Sequence, residues 1–254
     1  MLKTVTTAME VLNILADHPE GLTLSQLASS AAINKQAAFR LVKTLQKGQF
    51  VSTNPRSRKL ALGSALLHLA ARAQPQPDLR ELAIPALARL RDRTGETACL
   101  HVLFGDQRAC VAQVESRDEL RCVAKIGELL PVTGAAGRVF LAFMEKEQRT
   151  RLLSKGWTAL TPHTVTDRER VNRLLRSVRR DGFAMARDET VTGTAAVSAP
   201  IRDGDGRVAA AITLLGPSSR LTRRQLLQRT PAVCQAALEV SKALGYELDE
   251  QEAA

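Results

Sequence analysis

The chain has 254 residues, 44% of them hydrophobic and 24% charged, with a formal net charge of +10. Its length predicts two domains, because single cores commonly run to about 100 to 200 residues, and no run of about 18 or more uncharged apolar residues occurs, which excludes a membrane-spanning helix. The positive charge is uneven: residues 1–75 hold nine lysines or arginines against three acids, and residues 76–254 hold 27 against 23, so the smaller piece is the candidate for a polyanionic partner. The start, MLKTVTTAMEVLNILADH, is interrupted by Lys3, Glu10 and Asp17. It reads as an amphipathic helix without a signal peptide's apolar region, and a cytoplasmic location is expected.

In chain order, the first helix spans about residues 4–16 with Val5, Ala8, Leu12 and Leu15 on one face, and DHPEG ends it. Thr23 followed by Gln26 predicts a capping box for the short helix LSQLASSA. Ile33 and Asn34 then form a tight turn, with Asn34 as N-cap of the helix in INKQAAFRLVKTLQKGQF, residues 33–50. That helix carries two stripes. Ala38, Leu41, Val42 and Leu45 share one face, and Gln36, Arg40, Lys43 and Lys47 share the face roughly 180° away. Two short helices joined by a tight turn are the pattern of a helix-turn-helix, whose second helix enters the DNA major groove. In FVSTNPRSRKLALG, alternating residues flank the turn former NP, so residues 50–53 and 58–62 predict a hairpin tipped by Arg56, Arg58 and Lys59. The whole is a winged helix-turn-helix.

Gln36 and Arg40 are suited to base edges because each side chain forms two hydrogen bonds at once. Lys43, Lys47, Arg56, Arg58 and Lys59 are suited to phosphate, where a mobile charge gives affinity with little sequence discrimination. Asn34 and Lys35 at the helix start complete the candidate DNA-binding set. A solvated charged face is the bland alternative; the tight turn before the helix and the basic wing after it weigh against it.

After Gly63, SALLHLAARA continues as a helix and QPQPD breaks it. The helix LRELAIPALARLRDRTG leads to strands TACLHVLF and RACVAQVE joined by GDQ, and LRCVAKIG is expected as a third strand. PVTGAAGR leads into the helix VFLAFM, and helices follow at about 145–155 and 167–180, the latter with a capping box from Thr166 to Glu169. Strands TAAVSAPI and RVAAAITLLG flank RDGDG, and a helix over about 222–244 closes the pattern. Hairpins mixed with helices predict an α+β domain with an antiparallel sheet.

An enzyme is the main alternative. The four histidines lie far apart, and only Arg187-Asp188-Glu189 and the pair Cys99 with His101, on one side of a strand, resemble active-site material. A buried structural cysteine beside an ordinary histidine is the simpler reading. Cys99, Cys110, Cys122 and Cys234 lack the close pairing of a zinc or redox site and read as reduced, mostly buried residues, so neither metal nor cofactor is expected. GAAGR has neither the spacing nor the downstream acid of a dinucleotide site. A nonspecific architectural DNA binder is the second alternative, but it needs no second domain of this size.

The order of elements, together with LVKTLQKGQFV, DLRELAIPALARLRDRTGETACLHVL, LPVTGAAGRVFLAF, TPHTVTD, VRRDGFAMARDETVTGTAAVSAPI and GPSSRLT, resembles the isocitrate-lyase-regulator (IclR) family of bacterial transcription factors over nearly the whole chain. The resemblance implies a winged helix-turn-helix over residues 1–63, a linker helix region over 64–82 and a GAF-like effector-binding domain over 83–254. It also implies a homodimer or tetramer on a pseudo-palindromic double-stranded operator, with a small organic effector. Leu66, Leu67 and Leu69 could serve an interface or a core equally. The pocket, by the same resemblance, is formed by Cys122, Leu130, Thr133, Gly134, Ala135, Ala136, Ala186, Thr194, Ala196, Thr213 and Leu215. Members that take small polar keto acids tend to carry an acid, a cysteine and serines at four positions that here are Ala186, Ala196, Thr213 and Leu215. This apolar wall favours an aromatic or medium-sized hydrophobic acid, since a small charged acid buried without polar partners costs free energy. Its carboxylate is expected at the helix start after TGAAGR, assisted by Thr133, unless GAAG serves only close packing.

Overall fold

Asn34 decides where the helix with the basic stripe begins. Its Oδ1 accepts from the Ala37 N–H at 2.8 Å, closing the first turn of α3 (Lys35–Lys47). The structure, a computed structural model, describes residues 2–73, 79–156 and 159–247, and the expected breaker QPQPD lies outside them. Before α3 come α1 (Lys3–Ala16) and α2 (Leu24–Ser30), the latter closed by the expected Thr23–Gln26 capping box. After it come β1 (Val51–Thr53), β2 (Leu60–Leu62) and α4 (Ser64–Ala73). The two strands pair antiparallel, and Leu60 also bridges to Leu22, which ties the hairpin to the turn before α2. Val11, Leu15, Leu27, Val42, Val51 and Leu60 form the core of this first unit, residues 1–76. Val5, expected to face that core, is exposed, because Val11 and Leu15 set the buried stripe of α1.

The second unit, residues 77–254, is built on a six-stranded antiparallel sheet in the order β5-β4-β3-β8-β7-β6. Its strands are β3 (Thr97–Phe104), β4 (Gln107–Val114), β5 (Leu129–Pro131), β6 (Ala184–Arg187), β7 (Thr194–Arg202) and β8 (Val208–Pro217). Alternation along β8 sorts side chains by face: Ala210, Ile212 and Leu214 join one core, while Ala211 joins another. The first core is covered by α5 (Leu79–Thr94) and α9 (Arg223–Ala243). On the opposite face lie α6 (Gly134–Phe143) and α8 (Arg168–Asp181), with α7 (Lys146–Lys155) between them in sequence. Because α5 runs unbroken from Leu79 and packs in the second unit, the expected boundary at 82/83 falls inside a helix.

Four local expectations change. Residues 120–127, expected as a third strand, form only one isolated bridge, Ile126 to Cys110. The backbone there is held by side chains instead: Thr97 Oγ1 donates to the Cys122 carbonyl at 2.6 Å, and the Ala124 N–H donates to Gln113 Oε1 at 2.9 Å. The edge strand is β5, which pairs with β4. Helix α6 begins at Gly134, so GAAG belongs to its first turn; a Cβ on Gly137 would lie 2.1 Å from the Val132 carbonyl carbon. The cap of α8 is Asp167, whose carboxylate accepts from the Arg170 N–H at 2.7 Å, rather than Thr166. Strand β6 is an addition.

One buried ion pair joins α6 to the connection between β6 and β7. Arg138 Nη1 donates to both Glu189 oxygens at 2.9 and 2.8 Å, with side chains 5% and 10% exposed, and Nη2 reaches the Met185 carbonyl. Thr161 and Thr164 fasten the same connection by donating to the carbonyls of Asp188 and Glu189 at 2.5 and 2.6 Å. Removing one partner of such a pair leaves the other charge buried and unpaired. Glu189→Ala is therefore expected to destabilise the second unit by about 3 to 5 kcal/mol in denaturant unfolding, and the joint variant Arg138→Met, Glu189→Leu to lose less than the single one.

Candidate functional site

Two surfaces carry unspent polar chemistry. On α3, Gln36, Arg40, Lys43 and Lys47 are exposed on one side, opposite buried Ala38 and Val42, as the two-stripe pattern requires. Lys35 is exposed beside them. Asn34 is exposed too, but its side-chain oxygen is spent on the cap. At the hairpin tip, Asn54 Oδ1 accepts from the N–H groups of Arg56 and Ser57 at 2.9 and 3.1 Å, and Arg58 takes a left-handed φ of 57°. This turn leaves Arg56 and Arg58 exposed and Lys59 half-buried. Among the described residues, none of these cations has an ion-pair partner.

The second surface is a cavity of about 510 Å³ in the sheet domain. Its walls come from β3, β4, β8, β7 and β6, the start of α6, residues 122–125, and the connection after β6. Nine of the eleven residues expected around a pocket line it: Cys122, Leu130, Ala135, Ala136, Ala186, Thr194, Ala196, Thr213 and Leu215. Thr133 and Gly134 do not. Thr133 is buried as the N-cap of α6, its carbonyl accepts from Arg108 Nε at 3.2 Å, and its Oγ1 has no hydrogen-bond partner among the described residues. Gly134 sits behind the wall with φ of 70°, where a Cβ would lie 2.8 Å from Thr190 Oγ1. Both glycines of GAAG therefore serve close approach.

Polar groups beyond the expected set also line the wall, Arg108, His101 and Cys110 among them. Arg108 is 5% exposed; it donates from Nε to Thr133 and from Nη2 to Thr190 Oγ1 at 3.3 Å, and has no carboxylate within ion-pair distance among the described residues. Burial lowers its pKa to about 10, so it remains charged at neutral pH. The available signal was a lone charged residue near the start of a mostly apolar strand, RACVAQV. His101 is held by burial, and then by the charge of Arg108, at a pKa of about 3. Its Nδ1 lies 3.1 Å from Thr213 Oγ1, which lies 2.7 Å from Ser198 Oγ. Cys110 is the third group; a register shift between Leu100 and His101 sets it opposite His101.

The suspected nucleophile does not assemble. Cys99 is fully buried, and its interaction with the Cys110 thiol, followed by burial, raises its pKa well above the ordinary thiol value. Arg187-Asp188-Glu189 is spent on structure: Glu189 pairs with Arg138, and Asp188 Oδ1 accepts from the Gly193 N–H at 2.6 Å and from Ser218 Oγ at 3.2 Å. All four cysteines are free, two of them buried and two half-buried.

The chain is similar to known proteins along most of its length. Residues 4–55 match the IclR helix-turn-helix domain, and residues 72–242 match the bacterial transcriptional regulator IclR C-terminal domain. The HTH-type transcriptional regulator KipR of Bacillus subtilis is 30% identical, over 96% of this chain and 98% of that protein. An IclR transcriptional regulator from Alicyclobacillus acidocaldarius is 32% identical with a TM-score of 0.83, covering 96% of this chain and 99% of that one. An IclR homolog from Microbacterium hydrocarbonoxydans, solved with 4-hydroxybenzoate, is 25% identical with a TM-score of 0.84, covering 95% and 98%.

His101 gives the second unit a pH signature. Its folded pKa of about 3 lies below the unfolded value near 6.5, so the unfolded chain takes up a proton that the folded one refuses as pH falls. The stabilising preference for the neutral ring is fully present above about pH 6.5 and is lost as pH falls from there toward 3. Denaturant unfolding should lose about 2 kcal/mol between pH 7 and 5 from this group alone, and His101→Gln should flatten that part of the profile.

Proposed function

The chain belongs to the IclR family of bacterial transcriptional regulators, and we propose that it reads a pseudo-palindromic operator through α3 and the hairpin under control of a hydrophobic or aromatic carboxylic acid held in the cavity. A DNA-binding helix-turn-helix and a C-terminal effector domain are the parts this family supplies. Gln36 and Arg40 contact base edges, and Lys35, Lys43, Lys47, Arg56, Arg58 and Lys59 contact phosphate. Asn34 acts by fixing the start of the reading helix.

Arg108 carries the effector reading. A buried guanidinium that faces a cavity with no carboxylate at ion-pair distance among the described residues is costly, and an anionic ligand supplies a direct partner. The carboxylate sits between Arg108 and the first turn of α6, where Ala135 and Ala136 line the cavity and free N–H groups favour an anion. Ala186, Ala196 and Leu215 receive the apolar body. The complex of the Microbacterium homolog with 4-hydroxybenzoate supports an acid of this kind. Regulation without catalysis is the reading, supported by relatives that are transcriptional regulators.

We place the linker after residue 63, ending before α5 begins at Leu79, and the protein in the cytoplasm. It works as a homodimer or tetramer, because one reading helix covers only a few base pairs. Leu67 and Leu69 on α4, at 77% and 50% exposed, and Met9 on α1, at 62%, support a partner copy on these helices.

Binding-site selection from random duplexes tests the DNA half. Arg40→Ala is expected to relax preference at one position at a cost of about 1 to 3 kcal/mol, and Lys43→Ala to weaken all sequences similarly; equal affinity of the wild type for every sequence overturns the reading. Calorimetry with a panel of acids tests the other half. Benzoate-type acids should bind, and Arg108→Gln should cost them about 2 to 5 kcal/mol; tight binding of glyoxylate or pyruvate without response to aromatic acids overturns it.

A further inference from the structure

The exposed side of α3 holds one residue that neither phosphate contact nor polar base reading uses. Phe39 is 51% exposed, three residues after Gln36 and one before Arg40. It lines a shallow recess with Leu24, Lys35, Gln36 and Arg40. The Lys43 ammonium lies 5.7 Å from its ring centroid, which holds that cation against the phenyl face. The apolar stripe of the helix is turned away, around buried Ala38 and Val42. Phe39 therefore stands in the polar stripe, at an entropic and hydration cost that a smaller or polar residue would avoid.

The major groove offers one apolar feature on a base edge, the 5-methyl group of thymine, and side chains such as Phe read it by contact. We propose that Phe39 is a specificity-determining residue that covers a thymine methyl in each half-site. The inference rests on the reading of α3 as the helix in the groove. Gln36 recognises adenine through two hydrogen bonds, and the thymine paired to it, or to a neighbouring adenine, brings its methyl toward the recess between Phe39 and Leu24. Lys43, held over the ring, closes the contact from the backbone side. Phe39 supplies preference for A·T pairs, while the guanidinium of Arg40 supplies preference at a separate base pair.

Deoxyuridine in place of thymine removes only the methyl group. The probe is the duplex that wild-type protein enriches most strongly from a random pool, with each thymine replaced in turn. Wild type should lose about fourfold in affinity for each half-site changed at one position, the effect of uncovering one methyl. Phe39→Ala should bind the thymine and deoxyuridine duplexes equally, and Phe39→Leu should keep part of the difference. A wild type indifferent to every thymine methyl, or a Phe39→Ala protein that loses as much as wild type, overturns the proposal. If Arg40→Ala meanwhile relaxes preference at its own position, the reading of α3 stands and only the role of Phe39 falls. If the wild type enriches no duplex, both fall together.

Discussion

The pair between Arg138 and Glu189 is the constraint on which the cavity depends. Burying two charges is expensive, and here the cost is offset by two hydrogen bonds to the carboxylate and a further one to the Met185 carbonyl. The result is mechanical. Helix α6, whose first turn lines the cavity, is fixed to the connection after β6, which also lines it through Asp188, Glu189, Thr190 and Val191. Thr161 and Thr164 hold the other side of that connection, so the TPHT and RDE segments meet in space across about 25 residues of chain.

A second charged clamp works at the end of the sheet. Arg220 binds Glu96 through two hydrogen bonds at 2.6 and 2.9 Å, joining the segment before α9 to the start of β3. Both clamps consume their charges inside the protein. Arg108 differs in kind: its hydrogen-bond partners are a carbonyl and a hydroxyl, and among the described residues no carboxylate lies within ion-pair distance of it. Burial alone does not separate a structural arginine from a binding one; the presence of a carboxylate partner does.

The first unit follows the same economy. Asn34 and Asn54 spend side-chain oxygens on backbone N–H groups, which fixes the start of α3 and the tip of the hairpin. Among the described residues the longer cations beyond them form no ion pair, so their charges stay available to a polyanion. A short polar side chain near the backbone shapes the surface, and a long one acts from it.

Signals within a few residues were legible in the sequence. The capping box at Thr23 and Gln26, the cap at Asn34, the two stripes of α3 and the hairpin strands that become β3 and β4 are each written locally, because a helix turn or a strand pair is satisfied by near neighbours. Residues 120–127 misled because their alternation matches a strand, yet their backbone groups bond to the side chains of Thr97 on β3 and Gln113 on β4. The resemblance to known regulators named nine of the residues that line the cavity, while tertiary structure decided its chemistry. The register shift that sets His101 against Cys110, the closure of β8 onto β3 that joins His101 to Thr213, and the approach of Thr133 and Thr190 to Arg108 all depend on pairings between segments far apart in the chain. Local sequence determines which elements form; which buried charge lacks a partner is decided only when every element has taken its place.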